Sequence, residues 1–244
     1  MAQVAVPPAE LDKLLANAGP AILVGGQALA FWIAFYAVPI DDAPEAVVTK
    51  DADFLGSRAD AARLSQAVGG SLEVPKGMTI LAGIVRKKVG PNQEYEVDVL
   101  RTLNGLSPAD VTKHAKEITD RATGARYLVM SPVDCLVSRL ENLRTIAEKR
   151  NASGISQARV AVRVARGYIE DLLAKGEEKA AVRAATVILN AATQPMGLNA
   201  FKNYAIDALE AVPVESYQTK AFREQQWPRS VKRIHDLRKL TAAG

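Results

Sequence analysis

Val47–Gly56 reads VVTKDADFLG, two carboxylates inside a short apolar run. Val47, Val48, Phe54 and Leu55 surround Asp51 and Asp53, and the segment reads as a strand. Side chains at i and i+2 of a strand leave one face, with their backbones about 7 Å apart. Asp51 and Asp53 are therefore expected to project together. Two ionised carboxylates held this close repel, and a divalent ion with oxygen ligands relieves the repulsion. The plainer reading is a turn or strand end with two solvated acids, and the D-x-D pair alone does not choose between the two.

Two further stretches bear on the choice. Ala21–Trp32 reads AILVGGQALAFW, an apolar strand, a glycine pair and an apolar helix-forming segment. Gly25 and Gly26, with a helix starting near Gln27, bring bare backbone N–H groups and a positive helix end to one spot, a physical seat for phosphate. A tight strand–helix turn would need the same glycines for steric reasons. Tyr95–Leu100 reads YEVDVL, with Tyr95, Val97 and Val99 alternating against Glu96 and Asp98. That is a half-buried strand whose polar face carries acids.

Val24-Gly25-Gly26, then Asp51-Ala52-Asp53, then Asp98 on a later strand: in this order the sequence resembles the DNA polymerase β-like nucleotidyltransferase superfamily. Thr49, two residues before the first acid, resembles the T-x-D-x-D form of the bacterial branch that includes the abortive-infection nucleotidyltransferases of type IV toxin–antitoxin systems. The resemblance covers Ala21–Leu100. It implies that Asp51, Asp53 and Asp98 hold two Mg2+ ions, that Gly25, Gly26 and Thr49 lie at the nucleotide, and that a nucleoside monophosphate passes from a nucleoside triphosphate to an acceptor hydroxyl. It also implies a partner protein of a toxin–antitoxin pair, and the single cysteine, Cys135, is compatible with the reducing cytosol of a cytoplasmic protein. The segment SPVDCLVSRLENLR weakly resembles the helix following the catalytic core in such enzymes, which makes Arg139 a phosphate contact. The alternative for Arg139 is a solvated or ion-paired helix residue. KRNASGISQAR stands where many relatives continue with a K-D-x-x-D type of motif.

The 244 residues, 48% hydrophobic and 24% charged, are ordinary for a globular protein with a sizeable core. A single cysteine, Cys135, excludes an intramolecular disulfide, and with His114 and His235 the only histidines there is no recognisable zinc motif and no Ser-His-Asp pattern. No charge occurs between Lys13 and Asp41, a run long enough to span a bilayer, but it holds a glycine pair, Gln27 and Pro39. A buried strand followed by a buried helix explains it better, and no membrane association is expected.

Pattern and punctuation predict helices over Pro8–Ala18 and Gln27–Ala37, a helix capped by Ser57 with Asp60 and stopped at Gly69-Gly70, and strands at Ile22–Val24 and Leu72–Val74. Met78–Val89 and Glu94–Leu100 form a hairpin, which would set Lys87 across from Glu96. Glu96 shares the face of Asp98 as an auxiliary or solvated acid. Lys50 points away from the acids, and Lys87 and Arg101 are further phosphate candidates. Ser107-Pro108 opens a helix, and two strands surround Thr123-Gly124. From Ser131-Pro132 onward all is helical, with stretches at Pro132–Lys149, Ser156–Lys175, Glu177–Ala192, Leu198–Ala211, Tyr217–Gln226 and Arg229–Thr241. The expected fold is α+β: a small mixed-sheet nucleotidyltransferase domain over residues 1–130, followed by an all-α C-terminal domain over residues 131–244.

The net charge of +4 is concentrated in the tail, where Lys220, Arg223, Arg229, Lys232, Arg233, Arg238 and Lys239 face only Glu224 and Asp236. A basic final helix suits a polyanion, so an RNA acceptor, with a tRNA end implied by the resemblance, is expected there. A solvated charged face, with Tyr217, Phe222 and Trp227 docking the helix, is the simpler explanation. Three functions stay open: an active nucleotidyltransferase, a catalytically inactive nucleotide-binding or antitoxin-like module of the same fold, and an unrelated helical interaction protein with incidental acids.

Overall fold

The computed structural model describes residues 2–40, 51–77 and 79–242. Its strands are β1 (Ala2–Gln3), β2 (Ile22–Val24), β3 (Ala52–Leu55), β4 (Ser71–Glu73), β5 (Leu81–Gly90), β6 (Gln93–Leu100), β7 (Lys116–Thr119) and β8 (Arg126–Val129). The helices are α1 (Pro8–Ala16), α2 (Gly25–Phe35), α3 (Arg58–Val68), α4 (Pro108–His114), α5 (Pro132–Thr145), α6 (Ala152–Ala174), α7 (Glu178–Thr193), α8 (Pro195–Tyr204) and α9 (Trp227–Ala242). The protein is thus α+β, and among the described residues no strand follows Val129. One unit comprises Met1–Phe31 and Val47–Asp134, the other Trp32–Ala46 and Cys135–Gly244.

The first unit is built on a mixed sheet of order β4-β5-β6-β3-β2-β8-β7, with β1 beside the start of β6. The pairs β2–β8, β3–β6 and β1–β6 are parallel and the others antiparallel. Alternation on β6 is as the sequence predicts: Tyr95, Val97 and Val99 are fully buried while Glu94, Glu96 and Asp98 are half-buried. Ala52 and Phe54 of β3 join the apolar face. Helix α3 lies against β4, β5 and β6, and α1 packs on α3 and β8. The Tyr95 hydroxyl donates to Glu10 of α1 at 2.9 Å, which satisfies its one polar atom inside the core.

Local chemistry sets the boundaries. The Ser57–Asp60 capping box opens α3, and Gly69, left-handed at φ 61°, closes it. The Lys87 ammonium donates to the carbonyls of Val68 (2.7 Å) and Gly69 (3.4 Å), so it caps α3 and does not pair with Glu96. The uncharged stretch after Lys13 becomes the three-residue β2 and the eleven-residue α2, and no described helix is long and apolar enough to cross a membrane.

In the helical unit several boundaries differ from expectation: α5 already ends at Thr145, with a 3-10 turn over Ala147–Lys149. Helix α6 begins at Ala152 because the Asn151 side chain accepts from the Gly154 N–H at 2.8 Å. Gly154 is required, since a Cβ there would lie 1.9 Å from the Lys149 carbonyl oxygen. Helix α8 stops at Tyr204, where Ala205 turns left-handed at φ 52°, and 3-10 turns follow in place of continuous helix. A wide π-helical turn, Ala221–Gln226, leads into α9. Buried Tyr217 donates to the Ala181 carbonyl at 3.0 Å and packs on Phe222. Arg238 is equally committed: its guanidinium forks onto Asp207 at 2.5 and 2.8 Å and lies 3.7 Å over the Phe201 ring.

Arg238 is 8% exposed, so removing its partner leaves a buried charge. Asp207→Ala should cost about 3 kcal/mol of stability in urea unfolding. Arg238→Met with Asp207→Ala should recover much of that loss, because a packed apolar pair leaves no charge unpaired.

Candidate acidic site on the mixed sheet

Asp53 and Asp98 are register partners on the adjacent parallel strands β3 and β6. Neighbouring strands lie about 4.8 Å apart, so the two carboxylates leave the sheet side by side. Both are half-buried, while their sequence neighbours Ala52, Phe54, Val97 and Val99 are buried on the opposite face. Asp51 immediately precedes β3. Burial raises the pKa of Asp98, and the charges of Glu96 and then Asp51 raise it further, with Arg86 opposing them. The sequence-predicted acids are therefore brought to one place, and Glu96 stands with them.

Gly25 closes the other side. Val24 pairs with Asp53 across the antiparallel β2–β3 ladder, and Gly25, at φ +67°, turns the chain directly into α2. A Cβ on Gly25 would lie 2.1 Å from Asp53 Oδ2. The positive end of α2 thus abuts a carboxylate, and only glycine leaves room. Helix α2 begins two residues earlier than expected, at Gly25 itself, and Gly26 is buried in its first turn.

Two polar residues at the acids were not singled out from the sequence. Arg86 of β5 is the register partner of Glu96; its Nε donates to Glu96 Oε1 at 2.6 Å and its Nη1 pairs with Glu73. A register shift between Lys88 and Gly90 adds one residue to β5. That puts Arg86, rather than Lys87, opposite Glu96. Gln3 of β1 donates from Nε2 to Asp51 Oδ1 at 2.7 Å and reaches Glu96 Oε2 at 3.5 Å. No local pattern marks Gln3, because β1 is two residues long and pairs with a strand ninety positions away.

The remaining candidates are placed differently. Thr49 and Lys50 lie outside the described residues. Arg101 is exposed just past β6. Arg139 belongs to the helical unit, is 6% exposed and donates from Nη1 to Gln157 Oε1 at 3.1 Å, a tie between α5 and α6. Asp134 is buried at the start of α5, where Ser131 Oγ accepts from its N–H at 3.1 Å and His114 Nδ1 lies 3.3 Å from its carboxylate.

The donor set suits hard divalent ions: all-oxygen carboxylates leave one face of the sheet, and the Gly25 backbone packs directly against the Asp53 carboxylate, where a Cβ would clash. Among the described residues no three His, Cys, Asp or Glu side chains already close into a metal cage. The chain matches no protein-family model, no curated protein and no solved structure.

The Asp98 shift has a definite sign. Its folded-state pKa lies above the ordinary Asp value, so the folded state holds the proton more tightly. Stability therefore falls as pH rises from about 4 through the raised pKa. In EDTA, Asp98→Asn should raise Tm at pH 7, with the gain fading as pH approaches 4; a Tm series across that range measures it. At Gly25 the strain is steric. Gly25→Ala should cost about 1–3 kcal/mol from its left-handed backbone alone, with a further loss from displacing Asp53, read from urea midpoints.

Proposed function

We propose that the chain is a metal-dependent nucleotidyltransferase that moves a nucleoside monophosphate from a nucleoside triphosphate to an acceptor hydroxyl. The observation carrying this reading is the registered pair Asp53–Asp98, with the Asp51 charge felt at Asp98 and Gly25 against Asp53. Asp51, Asp53 and Asp98 are the residues that would hold two Mg2+ ions. Bound there, such ions supply neutralisation of phosphoryl charge and polarisation of the attacking and leaving oxygens. The chain's own part is positioning. The start of α2, with the Gly25-Gly26 backbone, offers N–H groups and a positive end to phosphate oxygens. The buried face of β3 and β6 holds the carboxylate backbones rigid. The acceptor oxygen forms a bond to the α-phosphorus, the bond to the β-phosphate oxygen breaks, pyrophosphate leaves and the hydroxyl proton goes to solvent. Arg86, bonded to Glu96 and Glu73, sets the limit of the negative patch.

For the acceptor, RNA is the reading favoured by the charge of α9. Arg229, Lys232, Arg233 and Lys239 are exposed there. Arg238 is withdrawn into its pair with Asp207, and Tyr217 and Phe222 are core residues, so the surface available to a polyanion is chiefly basic, with half-buried Trp227 at its start. A toxin–antitoxin partner belongs to the same proposal through the family resemblance, and a cytoplasmic setting through the single cysteine, Cys135. The inactive nucleotide-binding or antitoxin-like alternative draws on one observation, that no three described acids are closed into a cage.

Each α-labelled nucleoside triphosphate, incubated with the protein, Mg2+ and total RNA or lysate, decides between them. Label transferred to an acceptor by wild type, and reduced about 100-fold or more by Asp53→Asn and by Asp98→Asn, supports the enzyme. Nucleotide binding without transfer by wild type supports the inactive module. Replacing Arg229, Lys232 and Arg233 with Glu should weaken RNA labelling and flatten its salt dependence, leaving triphosphate binding unchanged.

A further inference from the structure

The N-terminal strand reaches the acidic face from outside the motifs. β1 runs parallel to β6, held by the Ala2 N–H to the Asn92 carbonyl at 2.8 Å and the Val4 N–H to the Glu94 carbonyl at 2.9 Å. These bonds place Gln3 across from Glu94, one strand-lane from Asp51, on the edge of β6 that β3 covers further along. The Gln3 carboxamide then has two N–H groups and two acceptors. One is Asp51 Oδ1 at 2.7 Å, the other Glu96 Oε2 at the longer 3.5 Å. A carboxamide is a neutral donor. It can fix a carboxylate's direction without cancelling the charge that a cation needs, which a lysine in its place would do.

Asp51 is the acid for which such help matters. Asp53 and Asp98 sit inside paired strands, whereas Asp51 precedes the first paired residue of β3, Ala52. We infer that Gln3 is a positioning residue for Asp51: it sets the carboxylate's orientation through Nε2 and thereby the affinity of the acidic site for divalent ions. This rests on the metal-site reading above and goes beyond it in assigning the N-terminal strand a part in the site. Carboxylates that ligate metals are commonly held by a hydrogen bond from a neighbour, and losing that neighbour weakens metal binding 10- to 100-fold. Gln3 is exposed, so its side chain contributes little to folding and its removal isolates the effect on the site.

The test titrates Mn2+ into the whole protein without nucleotide, following free ion by electron paramagnetic resonance. Wild type, Asp53→Asn, Gln3→Met and Gln3→Ala are compared, with Tm recorded for each. Gln3→Met keeps length and removes the donor; Gln3→Ala removes both. The expected result is Mn2+ binding by wild type, lost in Asp53→Asn and weakened about 10-fold or more in both Gln3 variants, with Tm unchanged in these. In the labelling assay, excess metal should restore the Gln3 variants to wild-type rates, which a strand defect would not allow. If Asp53→Asn loses the ion but the Gln3 variants bind it as wild type does, or more tightly, the inference is overturned and the acidic site stands. If wild type binds no Mn2+, or Asp53→Asn binds it equally, the site reading fails and this inference with it.

Discussion

Like charges crowded on one face of a sheet impose the constraint that the rest of the first unit answers. Parallel pairing of β3 with β6 leaves Asp53 and Asp98 no way to separate, since moving either means breaking a ladder. The opposite face supplies the counterweight. Tyr95, Val97, Val99, Ala52 and Phe54 are withdrawn from water there, and burial of large apolar side chains contributes about 1.5–3 kcal/mol each. The same strands thus carry apolar anchoring on one face and a repulsive group of acids on the other. That is how a site can stay charged in a well-packed scaffold.

The groups around the acids divide the electrostatic work. Arg86 neutralises Glu96 and Glu73 at the β5 side and draws the Asp98 pKa down, while Gln3 donates to Asp51. The start of α2 presents partial positive charge at Asp53 without a side chain, because Gly25 occupies the only conformation that lets the backbone come so near. Partial charges of this kind favour anions but do not saturate them. The result is a patch that remains attractive to cations even though cationic groups border it.

Much of this arrangement was legible in the chain itself. The alternation of YEVDVL, the D-x-D pair after VV and the apolar–Gly-Gly–apolar run each report one local period, and local period is what sequence patterns carry. Caps were legible for the same reason: Ser57 with Asp60 and Ser107 with Pro108 act within four residues. What escaped depends on distant partners. Counting back from the β5–β6 turn pairs Lys87 with Glu96, and a single extra residue in β5 moves Arg86 there instead. Arg238 reads as one more basic surface residue until Asp207 and Phe201 are seen beneath it. Helix α8 ends at Ala205, which has no glycine or proline to announce the turn.

The path of the chain has a consequence for how the protein is made. The stretch Trp32–Ala46 belongs to the helical unit although it lies between the two stretches of the first. Within that unit Trp32 is 2% exposed and stacks on Tyr36, whose Cβ lies 3.2 Å from where a Cβ of Gly167 would be. During synthesis, those rings emerge more than a hundred residues before α6 does. The nascent chain therefore holds Tyr36 for more than a hundred residues of synthesis before its Gly167 contact can form, the kind of apolar surface that favours misassembly while the fold is incomplete.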